Sequence, residues 1–143
     1  MSGENVRRMG DIVRDQKPVI LPPSATVMEA CCQMRDRRVG AVLVAEEDRK
    51  LLGIFTGRDA VCRVLAEARD PRATRLSDVM TREPRAIPPH RTAIDALRLM
   101  EDGWFRHVPV VAEGKIVGIA SHGDFRGLEQ ARLDEETDFW ERI

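Results

Sequence analysis

The sequence is poor in aromatic residues, and it has no marked excess of charge of one sign and no long apolar run. Aromatic residues make up 4% of the 143 residues, so aliphatic side chains and methionine must fill the core. The net charge is −1 and no long basic run occurs, which argues against binding to nucleic acid or to an anionic membrane surface. No apolar stretch approaches the roughly 20 residues that span a bilayer, and the first residues lack the apolar centre of a signal peptide. We therefore expect a cytoplasmic protein that binds neither nucleic acid nor membrane.

The sequence also lacks the common signatures of metal sites and catalysis. Its three cysteines, Cys31, Cys32 and Cys62, lie in segments with a helical pattern, so we expect small core residues rather than disulfide partners. The histidines do not have the spacing of metal ligands. There is no Walker-type loop and no Gly-x-Ser-x-Gly elbow. We expect a protein that is not an enzyme, with no metal ion and no catalytic cofactor.

A short motif occurs twice, 65 residues apart. Residues 52–59 (Leu-Gly-Ile-Phe-Thr-Gly-Arg-Asp) are matched by residues 117–124 (Val-Gly-Ile-Ala-Ser-His-Gly-Asp). Both copies follow the pattern apolar-Gly-Ile-x-Ser/Thr-x-x-Asp, which indicates a buried strand followed by a hydroxyl and, three residues later, a carboxylate. The repeat predicts two similar halves and suggests a nucleotide site.

The rest of the chain repeats in the same order. Thr26 and Thr92 each precede apolar residues spaced i, i+3, i+4, i+7, with Glu29 and Asp95 three positions on, so each predicts a helix that begins with a capping box. The other matches are 9–13 with 76–80, 17–23 with 83–89, and 39–44 with 106–111. The repeat unit is therefore a lead-in helix, a strand, a helix, two strands and a last helix at about 60–68 and 125–132. Two copies are too few for a solenoid and favour one pseudo-symmetric domain.

The motif can bind a nucleotide. Thr56 is predicted to begin a helix, whose first N–H groups carry partial positive charge and favour a phosphate. Arg58 adds a cation, and the Asp59 carboxylate can accept hydrogen bonds from the hydroxyls of a ribose. The same residues also make an ordinary helix cap. Ser121 and Asp124 repeat the arrangement and leave the same two interpretations open.

On these residues the chain resembles a pair of CBS domains, also called a Bateman module. The resemblance is carried by Gly53–Asp59, Gly118–Asp124 and Arg106–Val111, and it covers about residues 5–131. It implies an α/β (α+β) fold in which two βαββα repeats pack around a pseudo-two-fold axis. The expected parts are the first repeat with its lead-in helix (5–68), a linker (69–75), the second repeat (76–131) and a C-terminal tail (132–143). It also implies a homodimer formed through the repeat helices.

The resemblance further implies two clefts between the repeats that bind an adenine nucleotide. The expected ligand is AMP, ADP or ATP, the last with Mg²⁺, ahead of S-adenosylmethionine. In each cleft the Ser/Thr and Asp of one repeat hold phosphate and ribose, and strands of the other repeat hold the base. The first cleft would be formed by Ile54, Thr56, Arg58, Asp59, Pro84, Arg85, Ala86, Arg106 and His107. The second would be formed by Ile119, Ser121, Asp124, Pro18, Val19, Ile20, Val39 and Gly40.

The two implied clefts differ in charge. The first gathers Arg58, Arg106 and His107, whereas the second is mostly apolar. Residues 39–44 of the first repeat match residues 106–111 of the second. They contain neither the basic pair nor the proline found there. We therefore predict that the first cleft prefers the more phosphorylated nucleotide.

The function implied by the resemblance is regulatory. Nucleotide binding would change the shape of the module and signal to a separate effector protein, which requires different affinities for two states. The alternative is an interaction or scaffold module whose clefts are vestigial and whose motifs are helix caps. A third interpretation is an enzyme that acts on the bound nucleotide, for which the sequence has no catalytic constellation.

Overall fold

The computed structural model describes residues 7–125, and the chain divides into two compact units. One unit consists of residues 17–84 with the short segment 113–116. The other consists of residues 7–16, 85–112 and 117–125. Each unit therefore combines one repeat with the lead-in segment that precedes the other repeat along the chain.

The unit built around residues 17–84 contains a four-stranded sheet in the order β1-β2-β3-β4. The first pair of strands is parallel and the other two pairs are antiparallel. Its strands are β1 (Ile20–Leu21), β2 (Ala41–Ala45), β3 (Leu51–Thr56) and β4 (Thr81–Arg82). Its helices are α2 (Val27–Arg37), α3 (Gly57–Asp59), a π-helix that continues α3 (Ala60–Leu65) and α4 (Leu76–Val79). The predicted helix at 60–68 is thus shorter, and most of it has π geometry.

The other unit contains α1 (Met9–Ile12), α5 (Ala93–Gly103), β5 (His107–Ala112), β6 (Lys115–Ser121) from Val117 onwards, and a 3₁₀ turn (His122–Asp124). Strands β5 and β6 form a two-stranded sheet. Ile87 makes a single parallel bridge to Val110 and so takes the place that β1 has in the first unit. The predicted last helix at 125–132 and the tail at 132–143 lie outside the described residues, apart from Phe125.

The two long helices begin as the sequence predicts. In α2, the Thr26 hydroxyl accepts from the Glu29 N–H and the Glu29 carboxylate accepts from the Thr26 N–H, both at 3.1 Å. Thr92 and Asp95 make the same pair of bonds at the start of α5. Helix α5 buries the whole apolar face defined by the i, i+3, i+4, i+7 spacing. Helix α2 buries Val27, Ala30 and Met34 on that face, whereas Cys31 is only partly buried. The capping boxes are confirmed, and they satisfy main-chain donors that a helix start would otherwise leave unpaired.

The glycine of each repeated motif lies where a lead-in segment crosses the strand. A Cβ atom on Gly53 would lie 2.6 Å from the Met80 sulfur and 2.9 Å from the Thr81 carbonyl oxygen. A Cβ atom on Gly118 would lie 2.6 Å from Val13 Cβ and 2.7 Å from Gln16 Oε1. Any larger residue would push the lead-in segment off the strand, so close packing explains the glycine in both copies.

The two lead-in segments meet their strands by different hydrogen bonds. In the first unit, Gly53 and Ile54 pair with the main chain of Arg82 and Thr81. In the second unit, the Gln16 side chain replaces such a strand. Its Oε1 accepts from the Ile119 N–H at 2.7 Å and its Nε2 donates to the Ile119 carbonyl at 2.8 Å. One carboxamide therefore pairs with both main-chain groups of a strand residue.

In the structure, the alignment of the strand after α2 with the strand after α5 differs by one residue from the alignment that the sequence predicts. Val39 N–H donates to the Met34 carbonyl, and Phe105 N–H donates to the Met100 carbonyl, both at 3.1 Å. Because these bonds are equivalent, Val39 in the first repeat is the counterpart of Phe105 in the second. Arg106 and His107 are therefore the counterparts of Gly40 and Ala41. The sequence match of 39–44 with 106–111 is therefore wrong by one residue, although the first repeat still has no basic pair at these positions.

Candidate functional site

The first motif forms a closed network at the end of β3. The Asp59 Oδ2 atom accepts from the Thr56 N–H at 2.9 Å and from the Thr56 hydroxyl at 3.1 Å. The Asp59 N–H donates back to the Thr56 hydroxyl oxygen at 3.2 Å. The Asp59 side chain is 14% exposed. The carboxylate is therefore held in one orientation by its own helix start, and Thr56 is confirmed as the N-cap.

The helix start offers fewer free N–H groups than the sequence suggests. The Gly57 N–H donates to the Gly40 carbonyl at 3.1 Å, and the Asp59 N–H is used by Thr56. Positive charge at this end comes instead from Arg58, whose side chain is exposed and makes no hydrogen bond or ion pair with any residue from 7 to 125. An anion at this position would be bound mainly by this guanidinium and by the Thr56 hydroxyl.

The predicted residues of the first unit gather at one end of its sheet. Because β1 runs parallel to β2 and β2 antiparallel to β3, the starts of β1 and β2 lie beside the end of β3. The bond from Gly57 to Gly40 joins the last two directly, and the Leu43 N–H bonds to the Val19 carbonyl. Ile54 and Val19 are buried, whereas Val39 is 42% exposed. The predicted residues at this end are Pro18, Val19, Ile20, Val39, Gly40, Ile54, Thr56, Arg58 and Asp59. Pro84 is not among them, because β4 runs antiparallel to β3 and takes the chain towards the start of β3, away from Asp59.

The second motif repeats this arrangement in the other unit. The Ser121 N–H donates to Asp124 Oδ2 at 2.7 Å. The His122 N–H donates to the Arg106 carbonyl at 2.8 Å, which corresponds to the bond between Gly57 and Gly40. The predicted residues in this unit are Arg85, Ala86, Arg106, His107, Ile119, Ser121 and Asp124. The motif and the basic pair therefore meet at the end of β6.

His107 lies in an environment that lowers its pKa. Burial lowers its pKa, the neighbouring Arg106 lowers it further, and the Asp124 carboxylate acts in the opposite direction. The imidazole is consequently neutral at pH 7 and can accept or donate one hydrogen bond at each nitrogen. A phosphate placed nearby would favour the protonated form.

Sequence reasoning missed Arg63. Its Nε atom lies 3.5 Å from Asp59 Oδ1, and its Nη1 atom donates to the carbonyls of Val79 and Met80 at 3.2 Å. The spacing i, i+4 between Asp59 and Arg63 is a signal that could have found the ion pair. The contact with the lead-in segment had no local signal.

Within residues 7–125, no group of three or more His, Cys, Asp or Glu side chains is arranged to hold a metal ion. No helix in the same range has the length and apolar character to cross a membrane.

Comparison with known proteins gives matches over both repeats. The model of one family, the CBS domain, matches residues 9–65 and 76–129. The CBS domain-containing protein CBSCBSPB3 of Arabidopsis thaliana is 39% identical over 107 residues, which are 75% of this chain and 19% of that protein. The chain thus spans about a fifth of the length of that relative.

Solved structures give the same result for the fold. A CBS-domain containing protein of Agrobacterium tumefaciens is 31% identical, with a TM-score of 0.74 over 82% of this chain and 89% of that chain. A CBS domain protein of Pyrobaculum aerophilum, solved in complex with AMP, is 24% identical, with a TM-score of 0.79 over 90% of this chain and 98% of that chain. The predicted fold class and the two repeats are confirmed.

Proposed function

The chain belongs to the CBS domain family, and from this membership we propose that it is a regulatory module that senses an adenine nucleotide. The ligand is AMP, ADP or ATP, with Mg²⁺ accompanying ATP. It binds in the clefts between the repeats that the resemblance implies, and its binding signals to a separate effector protein. The AMP complex of the Pyrobaculum aerophilum protein, which shares the fold, supports an adenine ligand.

The observation that carries the proposal is that an oriented carboxylate and an exposed cation lie side by side at a strand end. Asp59 is held by Thr56, and Arg58 beside it has no partner in the described part of the chain. A ribose supplies two hydroxyl donors for the carboxylate, and a phosphate supplies acceptors for the guanidinium. An adenine nucleotide contains both groups in one molecule.

Binding of phosphate by Thr56 has a cost that the structure defines. The hydroxyl proton points to Asp59 Oδ2 in the free protein, so it must turn to the phosphate when a ligand binds. The lost bond to the carboxylate and the new bond to the phosphate both have a charged acceptor, and each is worth about 1.5–3 kcal/mol. The exchange is therefore close to neutral. The carboxylate keeps its orientation because the Thr56 N–H still bonds to Asp59.

The two clefts should differ in ligand preference. Arg58 lies beside Thr56 and Asp59, and its position is taken by Gly123 in the second repeat. Arg106 and His107, which the resemblance assigned to the first cleft, lie beside Ser121 and Asp124. Arg58 is therefore the remaining reason to expect that the cleft of Asp59 prefers ATP or ADP, whose phosphates carry more negative charge.

We also propose that the module acts as a cytoplasmic homodimer. The resemblance places the contact on the repeat helices. The exposed Val61 and Leu65, which are 56% and 66% accessible on the π-helix, support an interaction on this face. The effector would then respond to a change in the dimer that nucleotide binding favours.

One observation favours the alternative, an interaction module with vestigial clefts. Thr56 and Asp59 satisfy each other's donor and acceptor groups without a ligand. Thr92 and Asp95 do the same at a helix start with no predicted site. A motif of this kind can be kept for capping alone. This comparison also supplies the control for the experiment.

The test is a calorimetric titration of nucleotide-stripped protein with AMP, ADP, ATP and S-adenosylmethionine. It is repeated on Asp59→Ala, Asp124→Ala and the matched variant Asp95→Ala, which loses the same capping box at a helix start with no predicted site. We expect saturable ATP binding that Asp59→Ala weakens strongly and Asp95→Ala leaves unchanged. At 100 times its dissociation constant, the ligand should raise the free energy of unfolding by about 2.7 kcal/mol.

Three results would count against parts of this proposal. Binding lost equally in Asp59→Ala and Asp95→Ala would show a capping effect rather than ligand contact. ATP binding that survives Asp59→Ala and disappears in Asp124→Ala would contradict the assignment of the clefts. No binding of any nucleotide would favour the interaction module, and turnover of ATP with Mg²⁺ in a product assay would favour an enzyme.

A further inference from the structure

Arg63 joins the candidate ribose-binding carboxylate to the lead-in segment of the second repeat. Its Nε atom faces Asp59 Oδ1 at 3.5 Å, on the side of the carboxylate that Thr56 does not use. Its Nη1 atom donates to the main-chain carbonyls of Val79 and Met80, each at 3.2 Å. The guanidinium thus has three acceptors, two of them fixed in the main chain.

These contacts determine the orientation of the carboxylate. Thr56 holds Oδ2 with two bonds, and Arg63 faces Oδ1, so rotation about the last side-chain bond of Asp59 would break contacts at both oxygens. Oδ1 still has acceptor capacity, because a carboxylate oxygen has two lone pairs and this contact is long. It is therefore the atom that can accept from a ribose hydroxyl.

The anchor on the other side is part of a closely packed junction. Helix α4 ends at Val79, and the last carbonyls of a helix have no partner within the helix. Arg63 bonds to them there, one residue before Thr81 pairs with Ile54 in β3. Gly53 lies against Met80 at the same place. The position of Arg63 is consequently set by the main chain rather than by Asp59 alone.

We propose that Arg63 is a positioning residue of the nucleotide site. It holds Asp59 Oδ1 in the orientation that faces the ribose hydroxyls. Because Arg63 is itself bonded to Val79 and Met80, this orientation depends on the lead-in segment. The inference rests on the proposed function and adds to it a residue that gives preference for ribose. Arg63 acts through Asp59, so its removal should weaken recognition of the sugar hydroxyls rather than binding in general.

The test compares ATP with its 2′,3′-dideoxy analogue on the whole protein, by calorimetry, for wild type and Arg63→Gln. We expect Arg63→Gln to weaken ATP binding about tenfold, equal to about 1.4 kcal/mol, and to change binding of the dideoxy analogue by less than twofold. The matched control is Arg69→Gln, because Arg69 contacts the same lead-in segment through Asp78 at 3.9 Å and not Asp59. It should leave the ratio of the two affinities unchanged.

A double variant tests the route of the effect. In Asp59→Ala, the further change Arg63→Gln should no longer alter the ratio, because the group that Arg63 orients is gone. If Arg63→Gln does not fold, Arg63→Lys is measured in the same way. A lysine cannot reach all three acceptors, so the ratio should fall by a smaller factor.

The outcomes separate this inference from the proposed function. Equal weakening of ATP and the dideoxy analogue, or no change in either, would overturn the role of Arg63 and leave nucleotide binding intact. The absence of ATP binding by the wild-type protein would overturn the proposed function, and this inference with it.

Discussion

Replacement of Gln16 by alanine should destabilise the unit that contains β6. The change removes two hydrogen bonds, of 2.7 and 2.8 Å, and leaves the N–H and carbonyl of Ile119 without their partner. Each bond contributes about 1 kcal/mol net, and unpaired main-chain groups that are partly buried add to the loss. We therefore expect the free energy of unfolding to fall by about 2–3 kcal/mol.

The measurement is urea unfolding followed by far-UV circular dichroism, together with exchange of the Ile119 amide hydrogen. The matched control is Gln33→Ala, because Gln33 is exposed on α2 and alanine is a better helix former. Gln16→Glu is informative as well. It keeps an acceptor for the Ile119 N–H and loses the donor to the carbonyl, so its effect should include the loss of one bond. A change in Gln16→Ala within 0.5 kcal/mol of the control, with unchanged exchange at Ile119, would refute the reasoning.

Two further predictions concern packing and pH. Gly53→Ala places a Cβ atom 2.9 Å from the Thr81 carbonyl oxygen, so it should lower the free energy of unfolding by about 1–3 kcal/mol. Gly57→Ala, which meets no atom within 4 Å, should leave it unchanged or higher in the same denaturation assay; equal effects would contradict the packing explanation. Because burial and Arg106 lower the pKa of His107, the unfolded chain binds its proton more readily, and stability should fall as the pH falls through the ordinary histidine range near 6.5. His107→Gln should weaken this dependence, and an unchanged pH profile of the unfolding midpoint would contradict it.

The features that sequence predicted well depend on neighbouring residues. The capping boxes at Thr26 and Thr92 are complete within four residues, and the buried helix faces follow from a spacing of three and four. The β3 strand was predicted for the same reason, since Gly53 and Ile54 lie in an apolar run that ends at a hydroxyl. Short-range patterns of this kind are present in the sequence itself.

The features that sequence did not predict depend on distant residues. The pairing of Gln16 with Ile119 joins residues 103 positions apart, and nothing near Gln16 indicates it. The shift between Val39 and Phe105 arose because an apolar run of five or six residues matches its counterpart almost equally well in two registers. The π geometry of 60–65 was missed because so short a segment cannot separate a wider helix from an ordinary one.

The candidate site was predicted in part. Thr56 and Asp59 were identified by residue type and spacing, and the structure joins them as a helix cap. The partner of Asp59 was not identified, because the importance of Arg63 follows from its contact with Val79 and Met80, and that contact depends on how the lead-in segment folds back on β3.

The exchange of lead-in segments has a consequence for the order in which the protein folds during synthesis. Residues 17–84 form a nearly continuous stretch, so most of one unit can assemble as soon as α4 and β4 leave the ribosome. Residues 9–16 emerge before this stretch but find their partners, such as Gly118 and Ile119, about a hundred residues later. At roughly 5–20 residues per second, that segment waits about 5–20 s with the side chains of Met9 and Val13 unburied. The earliest part of the described chain to be made is thus among the last to become ordered.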